Sequence, residues 1–205
     1  MEGINDIRQY KRELRQRYRM IRENMDSQRK QADDDKILEN LLRLPEYQAA
    51  SALLCFVSTP IEVETRGIIT RAFRDKKTVA VPKCLDRKGN MDFFIIKSLD
   101  ELVSGEFALM EPDIANAPRF SQFDGSICIL PAFAFDPEGY RLGFGKGYYD
   151  RFLRRYTGVK AGVCYNSCMA SRLPRGRYDE AADYIITPKY VITVKKVKNN
   201  YSKEK

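Results

Sequence analysis

The chain has no histidine anywhere in its 205 residues. Without imidazole the usual zinc ligand and the usual general base disappear together, so Ser-His-Asp and Cys-His mechanisms are excluded. Cysteine is present but unpatterned: Cys55, Cys84, Cys128, Cys164 and Cys168 are odd in number and contain no C-x-x-C. Three of them fall in runs that read as buried strands, so buried free thiols are expected rather than disulfides or a metal site. No apolar run approaches the roughly 20 residues that a membrane span needs. Residues 1 to 20 are charged throughout and do not have the shape of a signal peptide. A cytoplasmic protein without a membrane partner is expected.

Charge is abundant, and its placement matters more than its sum of +8. Residues 1 to 30 hold nine Lys/Arg against five Asp/Glu, and residues 195 to 205 hold five against one. The remaining 36 − 9 − 5 = 22 basic residues balance the remaining 28 − 5 − 1 = 22 acidic ones. The body is therefore neutral, and the basicity belongs to a leading helix and a lysine-rich end that reads as a disordered tail. An RNA-binding protein using that helix and tail is one reading, opposed by the neutral body and by the lack of a basic face interleaved with aromatics.

A chain of this length suits one domain spanning residues 1 to 205. Ile7, Tyr10, Leu14, Tyr18, Ile21 and Met25 recur at helical spacing, and Arg8, Arg12, Arg15, Arg19 and Arg22 line another face that reads as solvated. Asp26 or Ser27 can cap a second helix running to about Arg43, so residues 1 to 43 form an N-terminal helical segment. Beyond Pro45 come short apolar runs: ALLCFV (52–57), TVAVP (78–82), MDFFII (91–96), ICILP (127–131), KAGVCY (160–165) and DYIIT (183–187). A covering helix over 63–75 and the spacing of these runs predict an α/β fold, a three-layer sandwich around a mostly parallel sheet.

The most unusual stretch is GYRLGFGKGYYDRFL, residues 139–153, with glycine at 143, 145 and 147 around a single lysine. It follows a strand and can open a helix, the position at which α/β sheets bind ligands. Glycines there let backbone amides approach an anion, the helix start adds partial positive charge, and Lys146 supplies a point charge. It is neither a Walker loop, which would need glycine at 140 and Ser or Thr at 147, nor a G-x-G-x-x-G fingerprint, since Tyr148 takes the last place. On pattern alone the stretch also suits a packing turn with Tyr148 and Tyr149 in the core.

The longer string LPAFAFDPEGYRLGFGKGYYDRFL closely resembles the signature of the 5-formyltetrahydrofolate cyclo-ligase family, also called methenyltetrahydrofolate synthetase. Arg141, Leu142, Gly143, Gly145, Gly147, Tyr148, Tyr149 and Asp150 match its R-L-G-x-G-x-G-Y-Y-D. KRELR at 11–15, EVET at 62–65, Glu111-Pro112 and DEAADYIIT also fit, so the likeness spans most of the chain. Three positions depart from the common pattern: Tyr178 stands where relatives often have histidine, Cys168 lies where glutamine is frequent, and Phe144 replaces an arginine or tyrosine.

The resemblance implies ATP- and Mg²⁺-dependent closure of 5-formyltetrahydrofolate to 5,10-methenyltetrahydrofolate by a monomer, through a phosphorylated formyl group. It implies that Lys11 and Arg15 reach the nucleotide, together with Arg141, Leu142, Gly143, Phe144, Gly145, Lys146, Gly147, Tyr148 and Tyr149. Lys146, Arg141 and Tyr149 are the implied catalytic groups; Val57, Glu62, Tyr148 and Tyr149 the folate contacts; Asp150, with Asp183 as a weaker second, the Mg²⁺ ligands. For Asp183 a simple capping role is equally compatible. A related kinase acting on another small molecule would share these features and is separated from a cyclo-ligase only by assay.

Overall fold

The computed structural model describes residues 2–105 and 109–195, with side chains from residue 7 onward. The lysine-rich end beyond Lys195 lies outside the described residues. Helix α1 (Glu2–Glu23) is followed by α2 (Ser27–Leu42), and Asp26 caps α2 by accepting the Arg29 amide at 2.9 Å. Pro45 sits at the start of the short α3 (Pro45–Ala49), where its missing N–H costs nothing. Along α1 the apolar stripe buries Leu14 and Tyr18, whereas Ile7 and Tyr10 remain exposed. The helix is thus seated by its second half and projects over the body with its first.

The strands and the remaining helices follow in order: β1 (Ala52–Cys55), α4 (Arg66–Arg74), β2 (Thr78–Cys84), β3 (Met91–Ile96), β4 (Leu102–Ser104), β5 (Met110–Pro112), β6 (Ser126–Leu130), β7 (Ala134–Phe135), β8 (Arg141–Leu142), α5 (Tyr148–Leu153), β9 (Val159–Val163), β10 (Tyr184–Ile186) and β11 (Val191–Thr193). The main sheet has seven strands in the order β11-β10-β9-β6-β1-β2-β3. Its inner five are parallel, and β3 and β11 close the two edges antiparallel. MDFFII is therefore an antiparallel edge, a short hairpin return from β2 that needs no crossover helix.

Strand β1 is fully buried and pairs with β2 on one side and β6 on the other. The chain leaves β1 through α4 toward β2 and leaves β6 through α5 toward β9, in opposite directions across the sheet. Right-handed crossovers then put α4 and α5 on opposite faces, and the carboxyl ends of β1 and β6 diverge to leave a crevice. α4 buries Ile68, Ile69 and Ala72, while Phe152 of α5 packs on Phe93 of β3 with ring centroids 4.8 Å apart.

Two short hairpins were not legible as strands: β4 with β5, and β7 with β8. The second carries the glycine stretch to the crevice. Asp136, fully buried, shapes its turn by accepting the amides of Glu138 and Tyr140, both at 3.1 Å, and that of Leu173 at 3.0 Å. All five cysteines are free; four are buried, and desolvation pushes the Cys55, Cys128 and Cys164 thiols up. No helix among the described residues is long and apolar enough to cross a membrane.

Candidate active site

Three segments meet over the crevice: the loop after β1, the glycine loop after β8, and helix α1. Gly145 and Gly147 have φ of +100° and +73°, a backbone that side chains rarely adopt. Gly143 has an ordinary φ, and a Cβ there would meet nothing within 4 Å, so of the three glycines it alone is free of a steric or conformational demand. Among the described residues the amides of 144–147 donate to no protein group. Helix α5 is only six residues long, so attraction for an anion rests on these amides and nearby cations rather than on a macrodipole.

The cations come from two directions. Arg15 of α1 donates from Nε to the Gly143 carbonyl at 2.8 Å, and its guanidinium lies over Gly145. Burial lowers its pKa, opposed by the field of Asp179. Lys11, one turn earlier, holds the Asp179 carboxylate at 2.7 Å. Lys146 is exposed at the loop tip and makes no ion pair among the described residues. Arg151 stiffens the loop from behind by donating to the Lys146 carbonyl at 3.0 Å.

Arg141 is buried at the base of the loop, donating to the Glu180 carbonyl at 2.8 Å and to Asp150 Oδ1 at 2.5 Å. Asp150 Oδ1 is also 3.3 Å from the Glu180 amide, whereas its second oxygen accepts nothing among the described residues. Asp183 behaves as the cap the sequence allowed: its Oδ2 accepts the Lys160 amide at 2.9 Å, tying β10 to β9. Among the described residues no group of three or more Cys, Asp or Glu side chains could hold a metal alone.

The opposite wall carries Glu62. Its carboxylate is buried, and Oε2 accepts both the amide and the hydroxyl of Thr59 at 2.8 Å. Oε1 accepts no hydrogen bond from the described residues, leaving one oxygen for a ligand. Burial raises its pKa, against the Thr59 bonds and the charge of Arg22. Val57 is buried just before it. Tyr149 presents a buried hydroxyl with no partner among the described residues, pushed to high pKa by desolvation and by Cys128, Cys55 and Glu62. Tyr148 instead ties its hydroxyl to the Asp86 carbonyl at 2.8 Å, joining the glycine loop to the β2–β3 turn.

The match to the 5-formyltetrahydrofolate cyclo-ligase family model covers residues 7–188. The chain belongs to that family. Among cyclo-ligase relatives, it is 27% identical over 171 residues to a Schizosaccharomyces pombe protein described as a probable 5-formyltetrahydrofolate cyclo-ligase, covering 76% of this chain and 84% of that one. To the 5-formyltetrahydrofolate cyclo-ligase of Escherichia coli K12 it is 29% identical over 157 residues, 74% of this chain and 85% of the other. The NMR structure of Aquifex aeolicus 5,10-methenyltetrahydrofolate synthetase superposes with a TM-score of 0.80 at 30% identity, covering 95% of this chain and 99% of that one.

The departures from the cyclo-ligase pattern land in different surroundings. Tyr178 is exposed, with the Arg154 guanidinium 4.5 Å from its ring centre, and Cys168 is fully buried. Phe144 is half exposed and leans on Phe133 at 4.6 Å between centroids. One reading of the basic helix is overturned. Arg22, grouped above with the solvated face, is 4% exposed and donates to the carbonyls of Ala132 and Phe133, with Ile61 O at 3.5 Å. The available signal was spacing: Arg15 and Arg22 are seven residues apart, two helical turns, and so share a stripe. Asp179, Thr59 and the Asp34–Tyr165 pair behind Glu62 had no such signal.

Proposed function

We propose that this protein, acting in the cytoplasm, couples ATP hydrolysis to ring closure of 5-formyltetrahydrofolate, giving 5,10-methenyltetrahydrofolate, ADP and phosphate. The observation that carries the reading is the pairing of two unlike walls across one crevice. On one side, unpartnered amides stand beside Arg15 and Lys146; on the other, a half-satisfied buried carboxylate waits for donors.

An N-formyl group is amide-like and a poor electrophile. Transfer of the γ-phosphoryl group to its oxygen makes a better one, which N10 of the folate attacks before phosphate leaves. Such catalysis is mostly positioning and charge neutralisation, and it needs no histidine. Lys11 and Arg15 clamp the nucleotide, the 143–147 backbone and Leu142, Phe144 and Tyr148 enclose its phosphates, and Lys146 offsets charge on the transferring group. Arg141 acts from the base of the loop, holding Asp150. Glu62 accepts paired donors of the reduced pterin beside Val57, and the unpartnered Tyr149 hydroxyl is placed to hold the formyl oxygen.

A Mg²⁺ ion fits the free oxygen of Asp150, since this ion commonly takes one or two carboxylates and completes its shell with phosphate oxygens and water. It would supply further charge neutralisation at the phosphates. Asp183 is a strand cap in this arrangement.

The test is incubation of the protein with 5-formyltetrahydrofolate, ATP and Mg²⁺, following the near-ultraviolet absorbance of the methenyl product and phosphate release. Both signals are expected together, and each should depend on both substrates. Folded protein giving neither would refute the reading; phosphate release without methenyl product would mean ATP hydrolysis uncoupled from ring closure. The inward-turned Lys11, Arg15 and Arg22 weigh against RNA recognition by the basic helix.

A further inference from the structure

We propose that Arg22 is a positioning residue for Glu62, linking the folate-side carboxylate to the helix that carries the nucleotide clamp. The inference rests on the assignment of Glu62 to folate above.

Its first support is geometric. One guanidinium joins the segments that leave β1 and β6: Nη2 donates to the Phe133 carbonyl at 3.0 Å and to that of Ala132, just past β6, while Nη1 lies 3.5 Å from the Ile61 carbonyl, next to Glu62. Arg22 thereby sets the gap between the two loops whose divergence makes the crevice. It belongs to the same helix as Lys11 and Arg15, and a helix moves as a rod.

The second support is energetic. A buried arginine is expensive unless ion-paired and fully hydrogen-bonded. Arg22 makes no ion pair among the described residues, and its Nε is buried without a partner. Packing against Phe133 and Tyr165, whose ring centres lie 5.6 and 5.9 Å from its guanidinium carbon, would be served as well by an apolar side chain. A fixed positive charge in this place has a use if it keeps Glu62 ionised. The other polar groups around the Glu62 loop do not offer a cation to the carboxylate. Tyr149 from α5 and Cys55 from β1 are buried neutral groups. Asp34 from α2 takes the Tyr165 hydroxyl, Lys30 and the Glu64 amide, and Glu64 takes the Ser58 hydroxyl and the Arg66 amide.

The experiment compares wild type with Arg22→Met and Arg22→Lys, measuring KM for 5-formyltetrahydrofolate and for ATP separately, and the folate KM against pH. Arg22→Met is expected to raise the folate KM about 10-fold or more with the ATP KM within about 2-fold. Its acid limb should also move to higher pH, because Glu62 without its neighbouring charge protonates more readily. Arg22→Lys keeps the charge and loses the fork, so the folate KM rises while the acid limb stays near that of wild type. If the methionine variant does not fold, the lysine variant decides: a folate-selective rise supports the proposal. Equal rises for both substrates, or an acid limb that does not move in a folded Arg22→Met protein, would overturn it. An inactive wild type would sink the cyclo-ligase reading; an active one with silent Arg22 variants would sink only this inference.

Discussion

The two walls of the crevice are built to opposite rules. The wall after β1 is over-determined: Thr59 grips Glu62 twice, Thr65 bonds the Ser58 amide and the Phe56 carbonyl, and Tyr165 and Asp34 brace the loop from beneath. The wall after β8 is bare, with glycines at positive φ and, among the described residues, an unpaired lysine tip and amides that bond no protein group. The difference fits what each would hold. A planar heterocycle is read by fixed donors and acceptors, whereas phosphates need a ring of donors that closes around them.

The sharpest way to break this comparison is at the bare wall. Lys146→Met keeps most of the side-chain stem, so turnover is expected to fall by about 10²-fold or more while folate affinity and melting temperature stay near wild type. Unchanged turnover would remove the lysine from the chemistry. Next in size, Arg15→Ala and Lys11→Ala should raise the ATP KM by about 10- to 100-fold, matching roughly 1.5–3 kcal/mol for a charge-assisted contact. Arg19 is exposed and only 3.7 Å from Glu23 in a surface pair, so Arg19→Ala should be nearly silent. Equal effects at all three positions would reduce the helix to a diffuse charged surface.

The braced wall should respond in stability instead. Tyr165→Phe deletes a buried hydroxyl that donates to Asp34 at 2.7 Å, and a loss of about 1.5–3 kcal/mol is expected in denaturant unfolding, with the ATP KM unchanged. A Tyr165→Phe protein of wild-type stability would mean that the bracing is ornamental. The smallest contrast lies within the glycine loop. Gly145→Ala forces a side chain to φ near +100° beside Arg15 and should cost about 1–3 kcal/mol in loop conformation, read as weaker ATP binding. Gly143→Ala meets open space and should be tolerated.

Much of this arrangement is legible in the amino-acid order alone. The 3.6-residue rhythm of Leu14, Tyr18 and Ile21, the Asp26 cap and the short Val/Ile runs specify helices and strands because their causes are local: side-chain periodicity, cap chemistry and β-branching. The glycine loop is legible for the same reason, since Gly145 and Gly147 are needed by the backbone conformation of their own segment. Strands β7 and β8 are not, because each is two residues long and exists only by pairing with the other. The antiparallel direction of β3 is likewise invisible, direction being a property of a pair.

Arg22 marks the division most plainly. Its sequence context is that of Arg8 and Arg19, a cation on a basic helix; composition and charge balance treat the three alike, and spacing sets apart only Arg19, since Arg8 and Arg22 both lie seven residues from Arg15. What separates it is the angle at which α1 crosses the ends of β1 and β6. That angle is set by packing of Leu14 and Tyr18 and by carbonyls from Ile61, Ala132 and Phe133, residues 39 to 111 positions away in the chain. The sequence by itself determined most of the elements and the backbone of the glycine loop, whose energetics are local. Which cations turn inward, which carboxylate keeps a free oxygen and which aspartate caps a strand were decided by tertiary structure, because burial and partnership arise only when distant segments meet.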